Sequence, residues 1–324
     1  MRVVFFGSGA FGLPTLAALR GAHELVGVVT QPDKPAGRSR QATATPVGAW
    51  CQAEAPGVEL FKPASVNEAG VCATLRAIEA DAWVVIAFGQ KLGRALLSER
   101  FAVNLHASLL PRWRGAAPIH AAVLAGDAET GNSVITLADR MDAGLILGQS
   151  RRAIEPDQTS GELHDLLASD GAGLVLDVLA RHAAGTLRGL AQDDSLVTLA
   201  GKLSKRDGWV DFGGDAEVVR RRVHGLNPWP GVTVGFRGEG LKLLRVAVEG
   251  VEPVEHGASA GESVPGTLLD ASKGLVACGR GVVRLVEVQP AGRKAMAYAD
   301  FARGARVMNG ELLVGGSGVE DARA

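Results

Sequence analysis

Aromatic side chains are scarce, making up 5% of the 324 residues with a single tyrosine. Base stacking is therefore not expected to dominate any contact with RNA. The three cysteines, Cys51, Cys72 and Cys278, are odd in number and far apart. They give no paired metal-ligand spacing and fit reduced thiols, each expected as a small buried hydrophobe. The seven histidines form no metal cluster, so no metal is expected. An excess of one sign of charge is also missing: the formal net charge is −1, and any nucleic-acid contact must come from local patches. No run of roughly 18 apolar residues occurs, and Met1–Gly7 lacks the long apolar stretch and cleavage site of a signal peptide. A protein without membrane contact, located in the cytoplasm, is expected.

What is present is ordinary soluble-globular composition, with 47% hydrophobic and 21% charged residues. The length suggests two domains. In the first half, apolar runs at Arg2–Phe6, Glu24–Thr30, Asp81–Ala87, Phe101–Leu105 and Ser133–Leu137 alternate with helical patterns. Short apolar strands separated by helices predict an α/β domain with a doubly wound, mainly parallel, Rossmann-like sheet. Thr159 and Glu162 have capping-box spacing, and Leu163, Leu166, Leu167, Leu174 and Val178 follow at helical spacing, predicting one long helix. Residues 190–206 are polar and irregular and suit a linker. From 207 to 314, β-rich pieces at Val232–Phe236, Leu241–Val248, Gly266–Leu269, Leu275–Ala277 and Val282–Val288 are divided by Gly and Pro. They predict a small all-β C-terminal domain, a barrel. Residues 1–189 form the catalytic domain in this reading, and the tail 315–324 is expected to be disordered.

Gly7-Ser8-Gly9-Ala10-Phe11-Gly12 matches a dinucleotide-binding turn. That motif also wants an acid ending the second strand, where this chain has Val28-Val29-Thr30. A tight strand-to-helix turn that needs small residues explains the glycines as well.

The informative stretch runs from Asn104 to Ile119. Asn104 and His106 are two apart at a strand end, so they point to the same side. Carboxyl ends of parallel strands are where ligands sit. An amide donor beside an imidazole can stabilise the oxyanion of acyl transfer, although an isolated pair of this kind is more often two satisfied polar groups. Asp142, in a loop before an apolar strand, would orient the imidazole and favour its charged form if brought against His106. A turn aspartate before glycine is the plainer alternative.

The stretch from Asn104 through Ile119, with Asp142 downstream, resembles the folate-dependent formyltransferase family. The resemblance implies that Asn104, His106 and Asp142 are catalytic. It also implies that Ser108, Leu109, Leu110 and Pro111 help form the folate site, and that main-chain groups near Ala87, Phe88, Gly89 and Gln90 hold the pterin of 10-formyltetrahydrofolate. Within the family, Thr30–Arg38, Pro111–Ile119, Ala125–Gly131, Lys202–Lys205, Asn227–Pro230 and Gln289–Met296 resemble the members that act on initiator methionyl-tRNA. The matches run from residue 3 to about 305. The implied C-terminal barrel is OB-like and helps hold tRNA.

Basic residues fall where a tRNA would be met: Arg38 and Arg40 in the loop after the second strand, Arg112 and Arg114 around Trp113, and Lys202, Lys205 and Arg206 in the linker. Arg220, Arg221 and Arg222 extend the set. Each run alone is more often a solvated face; together they suggest a phosphate track. A monomer is expected. There are three rivals: a folate-dependent formyltransferase acting on a small amine, a nicotinamide-dependent oxidoreductase built on Gly7–Gly12, and a non-catalytic RNA-binding protein, against which the near-neutral charge and the intact trio argue.

Overall fold

The computed structural model describes residues 1–36, 41–249 and 263–316. The chain forms two compact units, and neither is one contiguous stretch. The first comprises Met1–Gly115, Thr130–Arg152 and His164–Leu199; the second comprises Ala116–Glu129, Ala153–Leu163 and Ala200 onward. The segments from 116 and from 153 lie inside what the sequence reads as one catalytic block.

In the first unit, strands β1 (Arg2–Gly7), β2 (Glu24–Val29), β3 (Leu60–Phe61), β4 (Ala82–Ile86), β5 (Ala102–His106), β6 (Glu129–Thr136) and β7 (Ile146–Ala153) form one sheet in the order β7-β6-β5-β4-β1-β2-β3. β1, β2, β3, β4 and β5 pair in parallel, whereas β6 runs antiparallel to β5. The near-continuous apolar runs in β1 and β4 are what burial on both faces demands. Val4, Phe6, Trp83 and Val85 are buried on one face with Leu75 from helix α1 (Ala69–Ala77).

The long helix predicted from the capping box is α2 (Ser160–Ala183). Thr159 accepts from the Glu162 amide at 3.3 Å while Glu162 accepts from the Thr159 amide at 2.8 Å, satisfying two otherwise orphaned donors. At Gly171 a Cβ would lie 2.5 Å from Leu105 Cδ2, so the helix crosses close over β5. Leu105 thus faces α2, and Asn104 and His106 face the other way.

The glycine turn takes its plainer reading. A Cβ on Gly7 would meet the Phe5 ring at 2.4 Å and the Ile86 carbonyl at 2.9 Å, so these glycines serve close packing. Cys51 and Cys278 are buried, and burial pushes the Cys278 thiol up to about 12.

In the second unit, strands β8 (Val232–Phe236), β9 (Glu239–Glu249), β10 (Leu268–Asp270), β11 (Leu275–Ala277), β12 (Val282–Pro290) and β13 (Leu313–Val314) run in the order β10-β11-β12-β9-β8-β13. The sheet curls until its ends meet: Leu268 N donates to Glu311 O at 2.8 Å and Leu313 N to Gly266 O at 2.9 Å. The barrel is as expected, but the unit is not all-β. Helices α3 (Ala216–Gly225) and α4 (Tyr298–Ala305) contribute Val219, Val223, Tyr298 and Ala302 to its core. The expected disorder of the tail concerns residues of which 317–324 lie outside the described residues.

Inside this core sits His224, fully buried on α3. Its Nε2 accepts from the Val246 amide at 3.2 Å. Burial, with Arg220 and Arg245 nearby, pushes its pKa down from 6.5 to about 4. The unfolded chain therefore binds the extra proton first as pH falls. Stability contributed by neutral His224 is complete above pH 6.5 and is lost as pH drops towards 4, by up to about 3 kcal/mol. Urea unfolding between pH 7 and pH 4.5 checks this. His224→Gln is expected to flatten much of the slope above pH 5, and an unchanged slope would place the titration elsewhere.

Candidate active site

The register of the parallel strands puts two loops side by side. Gly7 of β1 pairs with Ile86 of β4, and Val85 pairs with Asn104 of β5. The loop Ala87–Gln90 and the loop after His106 therefore leave adjacent strands at the same edge of the sheet. Ala87 and Gly89 have φ of 46° and 80°, and both are exposed while Phe88 is buried. The Phe88 carbonyl accepts from Ser8 Oγ at 3.1 Å and from Gln31 Nε2 at 3.0 Å. Gln90 braces the loop, accepting from the Val66 amide at 2.9 Å. Its side chain is thus engaged within the protein, and the turned backbone at Ala87 and Gly89 is left exposed.

Ser108 and Leu110 are buried, Leu109 and Pro111 half-buried. Ser108 Oγ donates to Arg112 O at 2.6 Å, and the Leu110–Pro111 bond is cis. Ser133 on β6 donates to Ser108 O at 2.7 Å and accepts from Leu110 N at 3.0 Å. Gln149 on β7 donates to Leu110 O at 3.0 Å.

His106 is 6% exposed. Its Nε2 lies 2.9 Å from the Trp113 carbonyl, which can only accept, so Nε2 carries a hydrogen. Its Nδ1 lies 3.6 Å from Asp142 Oδ2, within ion-pair range but longer than a hydrogen bond. Nδ1 is thus the ring nitrogen without a short hydrogen bond among the described residues. Asp142 sits at φ 53°, and its Oδ2 also accepts from Gly115 N at 2.9 Å. The expected meeting of His106 and Asp142 is present. Asn104, two residues before His106, is half-buried on the same side of β5, and its carboxamide has no hydrogen-bond partner among the described residues.

The basic residues divide. Arg112 is exposed, with its guanidinium 4.4 Å from the Trp113 ring centre. Lys202, Lys205 and Arg206 are exposed at the start of the second unit's long segment. Arg38 and Arg40 lie outside the described residues. Arg114, expected on the RNA side, is instead 6% exposed. Its guanidinium donates to Gln192 Oε1 at 2.8 and 3.0 Å and to Asp194 at 3.2 Å. Arg220 and Arg221 pair with Glu217, and Arg222 lies over the Trp209 ring, so that run is part of the packing of α3.

Sequence reasoning missed the supports. Ser133, Gln149, Gln192 and Thr198 are scattered polar residues with no periodicity to flag them. Thr198 accepts from Trp113 N at 2.9 Å and, through its carbonyl, from Arg114 N at 2.9 Å. Residues 192–198 are therefore more than a linker: they brace the loop that holds His106.

Residues 1–179 match the family described as formyl transferase, and residues 202–306 match formyl transferase, C-terminal domain. The chain belongs to the formyl transferase family. Among relatives of this formyl transferase, the methionyl-tRNA formyltransferase of Methylococcus capsulatus is 42% identical over 93% of this chain and 96% of that one. Among solved structures, WlaRD, a sugar 3N-formyl transferase, shares the fold with a TM-score of 0.66 at 11% identity, over 91% of this chain and 99% of that one. HypX from Aquifex aeolicus in complex with tetrahydrofolic acid gives a TM-score of 0.58 at 15% identity, covering 93% of this chain. This formyl transferase spans about half the length of that structure, 47%. Among the described residues no helix is long and apolar enough to cross a membrane, and no group of His, Cys, Asp or Glu could hold a metal.

Proposed function

We propose that this formyl transferase moves the formyl group of 10-formyltetrahydrofolate to the amino group of methionine on initiator methionyl-tRNA. The observation that carries the reading is the meeting of His106 and Asp142 beside the carboxamide of Asn104, unpartnered among the described residues, at the carboxyl end of parallel strands. Identity of about 40% over nearly the full length with proteins named methionyl-tRNA formyltransferase supports the acceptor.

The folate would lie along the backbones of Ala87–Gln90 and Ser108–Pro111, which flank that end of the sheet. As the neutral amine attacks, the formyl oxygen takes up negative charge. The Asn104 amide and Nδ1–H of His106 are the donors for it, each contributing about 3 kcal/mol. Asp142 Oδ2, 3.6 Å from Nδ1, orients the ring towards that oxygen. Through water, Asp142 can accept the proton that the amine loses, and that proton ends on the departing folate nitrogen. In this reading the catalytic block and the C-terminal barrel act as a cytoplasmic monomer, the barrel helping to hold tRNA.

The test is formyl transfer from 10-formyltetrahydrofolate to charged initiator methionyl-tRNA, run beside an amino sugar nucleotide. Transfer to the tRNA alone is expected. Transfer only to the sugar would sink the acceptor assignment, and transfer to neither would sink the reaction.

Lys202, Lys205, Arg206 and Arg112 are assigned to phosphate contacts. Replacing the first three together by alanine is expected to weaken tRNA binding and to reduce the slope of log K against log salt by about 2 to 3, with the KM for folate unchanged. An unaltered slope in a filter-binding titration would return these residues to an ordinary solvated face.

A further inference from the structure

We infer that Gln192 is a positioning residue for the reacting pair, locking Asp142 against His106. The inference rests on the proposed formyl transfer for its kinetic consequence, but not for its geometry.

Two loops hold the pair. Residues 112–115 give the Trp113 carbonyl to His106 and the Gly115 amide to Asp142, at 2.9 Å each. Residues 139–144 carry Asp142 itself, in a left-handed conformation that a non-glycine residue adopts only when its surroundings enforce it. A turn bond from Ala143 N to Arg140 O at 3.3 Å closes the loop around Asp142, and Gln192 anchors that turn from outside. Its Nε2 donates to Asp142 O at 2.7 Å and to Gly144 O at 2.8 Å, using both amide hydrogens on one loop. Its Oε1 accepts two bonds from Arg114, at 3.0 and 2.8 Å, on the other loop. A carboxamide is the side chain that can do both at once, because it carries two donors and an acceptor with two lone pairs.

The clasp has a second limb. Asp194 accepts from Arg114 at 3.2 Å and from Arg140 at 2.8 Å, and Arg140 lies two residues before Asp142. Both Arg140 and Arg114 hold the Asp194 carboxyl below the usual carboxylate range. This limb is exposed on the Arg140 side and screened there, whereas Gln192 and Arg114 are partly or fully buried. Gln192 is therefore the member on which the loop spacing depends. Gln192 makes no hydrogen bond to Asn104 or to the His106 ring among the described residues, so its effect passes through the two loops that hold Asp142 and His106.

Gln192→Glu separates the two halves of the clasp. A glutamate still accepts from Arg114 but has no hydrogen to give to Asp142 O or Gly144 O. Displacements of about 1 Å near reacting groups can lower rates on the order of 100-fold. Q192E is expected to lower kcat for formyl transfer by about 10- to 100-fold with the KM for folate within about twofold of wild type. Its crystal structure is expected to show the Asp142 carboxylate moved off the Gly115 amide. Near-wild-type kcat, or Asp142 still bonded to Gly115, would overturn the inference. So would a rise in KM and a fall in melting temperature that match the loss in kcat, since general loosening would explain all three. If the wild type transfers no formyl group, the proposed reaction falls, and the Q192E crystal structure alone decides whether Gln192 positions Asp142.

Discussion

Replacing His106 by alanine is expected to lower kcat for formyl transfer by about 10²- to 10³-fold, the loss typical of removing one oxyanion donor. The ring does two separable things. Nε2 pins the 112–115 loop through the Trp113 carbonyl, and Nδ1 faces Asp142 and, in the proposed reaction, the formyl oxygen. Alanine removes both and leaves a partly buried carbonyl without its donor, at a cost of about 1–3 kcal/mol in stability. Asp142→Asn separates chemistry from stability. The amide oxygen can still accept from Gly115 N, so the fold should hold, but the negative charge opposite Nδ1 is gone. A comparable loss of kcat with an unfolding midpoint near wild type is expected for D142N. Folded His106→Ala retaining more than about a tenth of the wild-type rate would contradict an oxyanion role for the imidazole.

The second large effect is steric. A Cβ on Gly144 would sit 1.7 Å from the Thr136 carbonyl oxygen and 2.6 Å from its carbon, far inside any tolerable contact. Gly144→Ala must therefore push the Asp142 loop away from β6. That breaks the bonds from Thr136 N to Leu145 O at 3.0 Å and from Leu145 N to Thr136 Oγ1 at 2.9 Å. A stability loss of about 3 kcal/mol is expected. A rate loss of about 100-fold is expected as well, because Asp142 lies two residues away. Gly173 on α2 is the contrasting case, since nothing lies within 4 Å of its added Cβ. Gly173→Ala removes backbone freedom from a helix interior and should stabilise by about 0.5–1 kcal/mol. Denaturant unfolding and kcat on the two variants check both signs. A wild-type midpoint for Gly144→Ala would mean that the loop accommodates the methyl.

Much of this architecture was legible because apolar patterning and burial are the same fact seen twice. β4 is apolar throughout and β1 from Val3 on, and both are buried on both faces; β8 and β11 coincide with the runs read from sequence. The helix α3 was not legible. Its sequence, AEVVRRRVHG, carries three adjacent arginines that read as a surface for RNA, whereas packing engages Arg220 and Arg221 with Glu217 and lays Arg222 over Trp209. Arg114 misled for the same reason. A guanidinium in a sequence looks solvated, and only the fold shows that Gln192 and Asp194 receive it. Within the candidate site, Asn104 and His106 were readable from strand periodicity. The bracing from Ser133, Gln149, Gln192 and Thr198 was not, because long-range hydrogen bonds between polar side chains and backbone leave no periodic trace.

The ring of strands in the second unit bears on how the chain is made. Once residues 311–313 dock beside 266–268, no strand of the ring β10-β11-β12-β9-β8-β13 is left with an unpaired side. Before then, a nascent chain that has emerged only as far as β12 carries β8 and β10 as open edges, with backbone donors and acceptors exposed. Such edges are templates for pairing with a second copy. The vulnerable interval for self-association is therefore the synthesis of residues 291–313, and a pause there should favour aggregation more than a pause of equal length after residue 314.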